Sequence, residues 1–85
     1  MIYGIELSRS ALKALKDIPL ADVKKIRDKI EKLKKEPLPN GCEKLEAHDD
    51  LYRIRSGDYR VIYQIFRKKL IILVIKIGHR REVYR

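Results

Sequence analysis

The tetrapeptide Ser56-Gly57-Asp58-Tyr59 constrains this chain more than any other stretch. Two β-rich runs, residues 51–56 and 59–66, meet there with only Gly57 and Asp58 between them. Glycine at the first central position supplies the positive φ of a type II′ hairpin turn. A two-residue turn fixes the register of the strands it joins: Ser56 pairs with Tyr59, Arg55 with Arg60, Ile54 with Val61, Arg53 with Ile62 and Tyr52 with Tyr63. Because side chains alternate across a sheet, one face then carries Tyr52, Ile54, Val61 and Tyr63, and the other Arg53, Arg55, Arg60 and Gln64. The first face belongs against a helical layer and the second in the open.

The rest of the chain supplies that layer. Residues 2–7 read as a short strand, and Ser8 is placed to cap a following helix. Leu7, Ala11, Leu12, Leu15 and Ile18 recur at helical spacing, Pro19 interrupts, and a second stripe follows at Leu20, Val23, Ile26, Ile30 and Leu33. The other faces of this second helix are crowded with charge and read as solvated, with Asp28 and Lys32 spaced i, i+4 for an ion pair. Pro37, Pro39, Asn40 and Gly41 end helical structure. A third strand over residues 70–77 is apolar on both faces, so periodicity does not set its register. A three-residue loop of Arg67, Lys68 and Lys69 would put Arg60 opposite Lys76, and Val61 and Tyr63 opposite Ile75 and Leu73. Residues 78–85 read as a basic tail. The expectation is one α+β domain over residues 1–85: an N-terminal strand, a helical hairpin and a three-stranded antiparallel meander in one sheet, with the helices on one face.

Charge follows this division. The chain has 85 residues with 21 Lys+Arg and 12 Asp+Glu. Residues 1–50 hold 11 basic and 10 acidic side chains and residues 51–85 hold 10 and 2, so nearly all of the +9 lies in the meander and tail. One-sided charge of this kind points to a polyanion partner. At 45% apolar the chain can fold, so its charge does not signal disorder. Cys42 is the single cysteine, which suits a reducing cytosol. The first residues lack a signal-peptide pattern. The longest apolar run, residues 70–75, is six residues, where a membrane-spanning helix needs about 20. A cytoplasmic protein without membrane association is expected.

Like charges directly opposite each other destabilise a sheet, so stability alone does not favour Arg55 facing Arg60. Either the two splay into water, or an anion lies between them and the open face is a phosphate-binding surface.

Two blocks, Leu51-Tyr52-Arg53-Ile54-Arg55-Ser56-Gly57-Asp58-Tyr59-Arg60-Val61-Ile62-Tyr63 and Ile77-Gly78-His79-Arg80-Arg81-Glu82-Val83-Tyr84, together resemble the RelE branch of the RelE/ParE toxin superfamily. With the opening strand and helical hairpin, the resemblance spans nearly the whole chain. It implies the toxin of a type II toxin–antitoxin pair, a ribosome-dependent endoribonuclease that cuts mRNA in the A site and assembles with a RelB-like antitoxin. By matching position it assigns Arg60, Arg80 and Tyr84 to the catalytic set. Arg53 and Arg55 stand where better-known relatives have lysines, and His79 adjoins the Arg80 position.

The side chains fit such chemistry. His48, Asp49 and Asp50 are contiguous and only His79 adds another imidazole, so no spaced metal-ligand set is present. No nucleophile motif or phosphate loop is visible either, and no cofactor is expected. What remains is attack by the RNA's own 2′-hydroxyl on the adjacent phosphate, which needs in-line positioning, charge neutralisation and proton transfer. Arg60 would hold the scissile phosphate, with Arg53, Arg55, Lys76 and Arg81 on the backbone. Arginine stays protonated and is a poor base. Tyr84, with a pKa that surrounding cations would lower, is the candidate base or else a stacking platform. His79 or Arg80 would serve the leaving 5′-oxygen. Two other readings use the same fold: a ParE-like gyrase inhibitor and a non-catalytic RNA-binding module.

Overall fold

The computed structural model describes residues 2–45 and 49–79. In chain order these form β1 (Gly4–Leu7), α1 (Arg9–Lys16), α2 (Leu20–Leu33), β2 (Glu43–Lys44), β3 (Leu51–Ser56), β4 (Tyr59–Phe66) and β5 (Ile71–His79). One sheet in the order β1-β5-β4-β3-β2 contains all five strands. The meander β3-β4-β5 is antiparallel as expected, and β1 joins its β5 edge in parallel. The two-residue β2, which the sequence pattern does not reveal, extends the opposite edge.

Ser8 caps α1 by accepting a hydrogen bond from the Ala11 amide at 3.0 Å. Pro19 stands at the N-cap of α2, and lacking an N–H it loses nothing there. Ala11 from α1 and Ile26, Ile30 and Leu33 from α2 are buried against Ile54, Val61, Tyr63, Ile65, Ile72, Val74 and Ile77 of the sheet. The helical stripes are narrower than their spacing suggests. Leu12 and Leu20 belong to them by periodicity but are 51% and 72% exposed. On α2 the ion pair that forms is Lys34–Glu31 at 3.0 Å, and no Asp28–Lys32 bridge accompanies it.

The hairpin register is the expected one, from Ser56↔Tyr59 through Tyr52↔Tyr63. Gly57 lies at φ +60 and Asp58 does not share the positive region, as a type II′ turn requires. The third strand departs from expectation. Its connection has four residues, 67–70, because Leu70 adopts φ +54 and closes the turn instead of opening the strand. Tyr63 therefore faces Val74, and Ile72 and Val74 point inward. A bulge then adds Ile75 to β5, after which Ile62 pairs with Lys76, Val61 with Ile77, Arg60 with Gly78 and Tyr59 with His79. Arg60 thus faces Gly78, not Lys76. Gly78 and His79 belong to β5 and not to a tail. The two one-residue shifts cancel in parity, so Lys76 still emerges on the arginine face. Ser8 pins the bulge: its hydroxyl donates to the Ile75 carbonyl at 2.6 Å and its amide to the Val74 carbonyl at 2.9 Å.

Candidate nucleic-acid interface

The β3–β4 hairpin sets the arginines. Ser56↔Tyr59 closes the turn, so Arg55↔Arg60 is the next, non-hydrogen-bonded pair, in which opposed side chains stand closest, with Cβ atoms about 5 Å apart. Arg55 is exposed, whereas Arg60 retains only 5% of its accessible surface. Across from Arg60 on the other side is Gly78, which puts no side chain over the strand. Burying a guanidinium costs several kcal/mol before compensation. An arginine held this way is immobilised, and its planar fork is oriented before any ligand arrives.

Arg53 lies two pairs farther from the turn, which returns it to the same face, and is bonded to the Glu43 carboxylate, its cross-strand partner on β2. The Arg53 side chain is 14% exposed and that of Glu43 56%, so the carboxylate reaches in from the rim. Glu43 is a site residue that sequence reading misses, since a two-residue strand is too short to show a period. Lys76 completes the row across from Ile62. The structure thus brings Arg53, Arg55, Arg60 and Lys76 onto one face.

His79 does not join them. Paired with Tyr59, it lies on the helix-bearing side, where the two rings meet edge-on with centroids 5.8 Å apart beside Arg9 and Lys13 of α1. The bulge and the extension of β5 place it there. Arg80, Arg81 and Tyr84 lie outside the described residues.

The 37–41 loop walls one side of the arginine face. Tyr63, fully buried in the core, donates its hydroxyl to the Pro37 carbonyl at 2.7 Å, and the Cys42 amide donates to the Pro39 carbonyl at 3.1 Å. Burial, reinforced by neighbouring Cys42, pushes the Tyr63 phenol well above its ordinary value of 10.0, so it remains a donor. Gly41 turns the chain into β2 at φ +89. At the far end of the hairpin, Arg67 bonds Asp50 at 3.0 Å, which raises the guanidinium pKa further. Among the described residues no helix is long and apolar enough to cross a membrane.

These features define a small α+β protein whose open sheet face gathers three arginines and a lysine. Residues 5–84 match the family described as the ParE toxin of the type II toxin-antitoxin system, parDE, and the chain belongs to that family. Within it the resemblance to RelE proteins is borne out. The chain is 35% identical over 88 residues to RelE1 of Methanocaldococcus jannaschii, covering 100% of this chain and 98% of that protein. It is 30% identical to the mRNA interferase toxin RelE of Escherichia coli strain K12, covering 99% and 92%. Among solved structures it is similar to the archaeal RelE–RelB complex from Pyrococcus horikoshii OT3, with TM-score 0.84 and 35% identity over 94% of this chain and 97% of that one. The intact E. coli RelBE toxin-antitoxin complex gives TM-score 0.80 at 26% identity, covering 91% and 95%.

Proposed function

We propose that residues 1–85 form one RelE-like toxin domain, a cytoplasmic endoribonuclease that cuts mRNA in the ribosomal A site and is held inactive in a hetero-oligomer with a RelB-like antitoxin. The observation that carries this reading is Arg60, almost wholly buried on the open face and directly across from Arg55. Two guanidinium groups opposed in this way are at their lowest free energy with an anion between them. In the proposed reaction the substrate's 2′-hydroxyl attacks the adjacent phosphate, displacing the 5′-oxygen and leaving a 2′,3′-cyclic phosphate. Arg60 grips the phosphate and Arg55 takes up charge as it develops. Arg53, oriented by Glu43, and Lys76 hold the flanking backbone. By family position Tyr84 removes the proton and Arg80 serves the leaving group, with Arg81 beside it. His79, on the other face, has no part in the step. The work is divided among these side chains and the RNA, with no metal required.

The test is induction followed by mapping of RNA 5′ ends, with cleavage repeated in vitro with and without ribosomes. New ends inside translated codons, dependent on ribosomes and lost in Arg60→Ala, are expected. A DNA-damage response with intact messages would instead make the protein a gyrase inhibitor. RNA binding with neither cleavage nor toxicity would make it a binding module. A phosphorothioate at the scissile phosphate should slow cleavage without rescue by a thiophilic metal ion.

A further inference from the structure

The charged face of α2 reads in sequence as a solvated surface. In the fold, three of its lysines line a groove with the arginine face. Lys25, Lys29 and Lys32 follow one another at i, i+4 and i+7, a single stripe along the helix. All three are exposed, and among the described residues none is ion-paired. They share the groove with Arg53, Arg55 and Arg60, and residues 39–41 line it as well. Six cations there meet two carboxylates, Asp28 and Glu43, and Glu43 is already engaged by Arg53. A stripe of like charges facing further like charges gives the folded protein nothing by itself. It becomes favourable when a chain of regularly spaced anions runs along it.

We infer that the groove between α2 and the β2–β3 edge is a second phosphate-binding segment, in which Lys25, Lys29 and Lys32 hold the backbone of the same single-stranded RNA whose scissile phosphate lies at Arg60. The inference rests on the proposed reading of Arg60 and extends it from one phosphate to a track. Continuity with Arg60 makes RNA the occupant, in preference to an acidic peptide. Arg60 and Arg55 grip at one point, and the lysines, as flexible point charges, add affinity without reading bases.

The experiment compares wild type with the triple variant Lys25→Gln, Lys29→Gln, Lys32→Gln, which keeps helix propensity nearly constant. The probes are a non-cleavable 2′-O-methyl RNA of about 12 nucleotides and a trinucleotide of the same chemistry, and affinity is measured against salt. Three lost phosphate contacts on a single strand lower the log–log salt slope by about 2. The wild-type advantage on the longer probe should therefore shrink about 20-fold between about 50 and 200 mM salt. Trinucleotide binding should be unchanged, and the corresponding triple Lys→Arg variant should keep the wild-type slope. A wild-type slope in the Gln variant overturns the track while leaving the Arg60 site standing, as does a variant that loses only antitoxin affinity. If wild type shows no affinity for the longer probe that Arg60→Ala removes, the track falls, whereas the underlying reading falls only if ribosome-dependent cleavage is also unchanged in Arg60→Ala.

Discussion

Replacing Arg55 with Gln should make the free protein more stable and a worse RNA ligand. Arg55 is exposed and directly opposite the buried Arg60, in the pair geometry that brings side chains closest. Two unit charges about 5 Å apart in water repel by about 0.8 kcal/mol, and outward splay of Arg55 reduces this. A gain between about 0.2 and 1 kcal/mol follows, within the range of cross-strand pairs. Unfolding entropy of about 2.1 cal/mol/K per residue amounts to about 0.18 kcal/mol/K for a chain of 85 residues. A gain of about 0.5 kcal/mol then raises Tm by about 3 °C. The assay is thermal and urea unfolding of wild type, Arg55→Gln and Arg55→Lys at low and high salt. Arg55→Lys keeps the charge and should show no gain. The screening length falls from about 10 Å at 0.1 M to about 3 Å at 1 M, so the gap between the Gln and Lys variants should close at high salt. A Gln variant no more stable than the Lys variant at low salt would refute the view that this face stores unfavourable charge in the absence of a ligand.

Tyr63→Phe should cost about 1 kcal/mol, or about 6 °C in Tm, with the urea m-value unchanged, because it removes one hydrogen bond to the half-buried Pro37 carbonyl. The same phenol sets an alkaline limit. Its folded pKa lies above the ordinary 10.0, so the unfolded chain loses that proton first and wild-type stability falls as pH rises past about 10. The stability of Tyr63→Phe should fall less steeply over that range. His79→Ala should leave the rate and pH profile of RNA cleavage unchanged, since the ring packs against Tyr59 on the helix side. Arg60→Ala should lower the same rate at least about 100-fold, as loss of a transition-state charge contact does.

How far the fold can be read depends on what pins each strand. Gly57 and Asp58 leave the first hairpin one register, and every pair read from them is present. The arginine face depends only on that hairpin and is therefore legible in the sequence itself. No comparable signal marks the second connection. Leu70 takes a backbone conformation usually left to glycine, and as an apolar residue beside Ile71 it reads as strand. With apolar side chains on both faces, β5 offers no alternation to correct the error or reveal the bulge. Lys76 reaches the expected face only because two shifts cancel, and His79, which reads as tail, closes the strand. Leu12 and Leu20 show the reverse: periodicity identifies a helix but overstates the width of its buried stripe. Glu43 is hidden because its strand exists only as a partner for Tyr52 and Arg53.

Ser8 carries a consequence that reaches the far side of the sheet. In β5 the side chains hold no memory of which way the strand should face, since Ile, Leu and Val alternate with one another. That information is stored instead in one hydroxyl some 67 residues away in sequence, which begins α1 and also holds the bulged Ile75 carbonyl. Hydrophobic exchanges along β5 can thus drift without turning Lys76 or Gly78 away from Arg60's face, whereas the choice at position 8 is tied to the orientation of the whole basic surface.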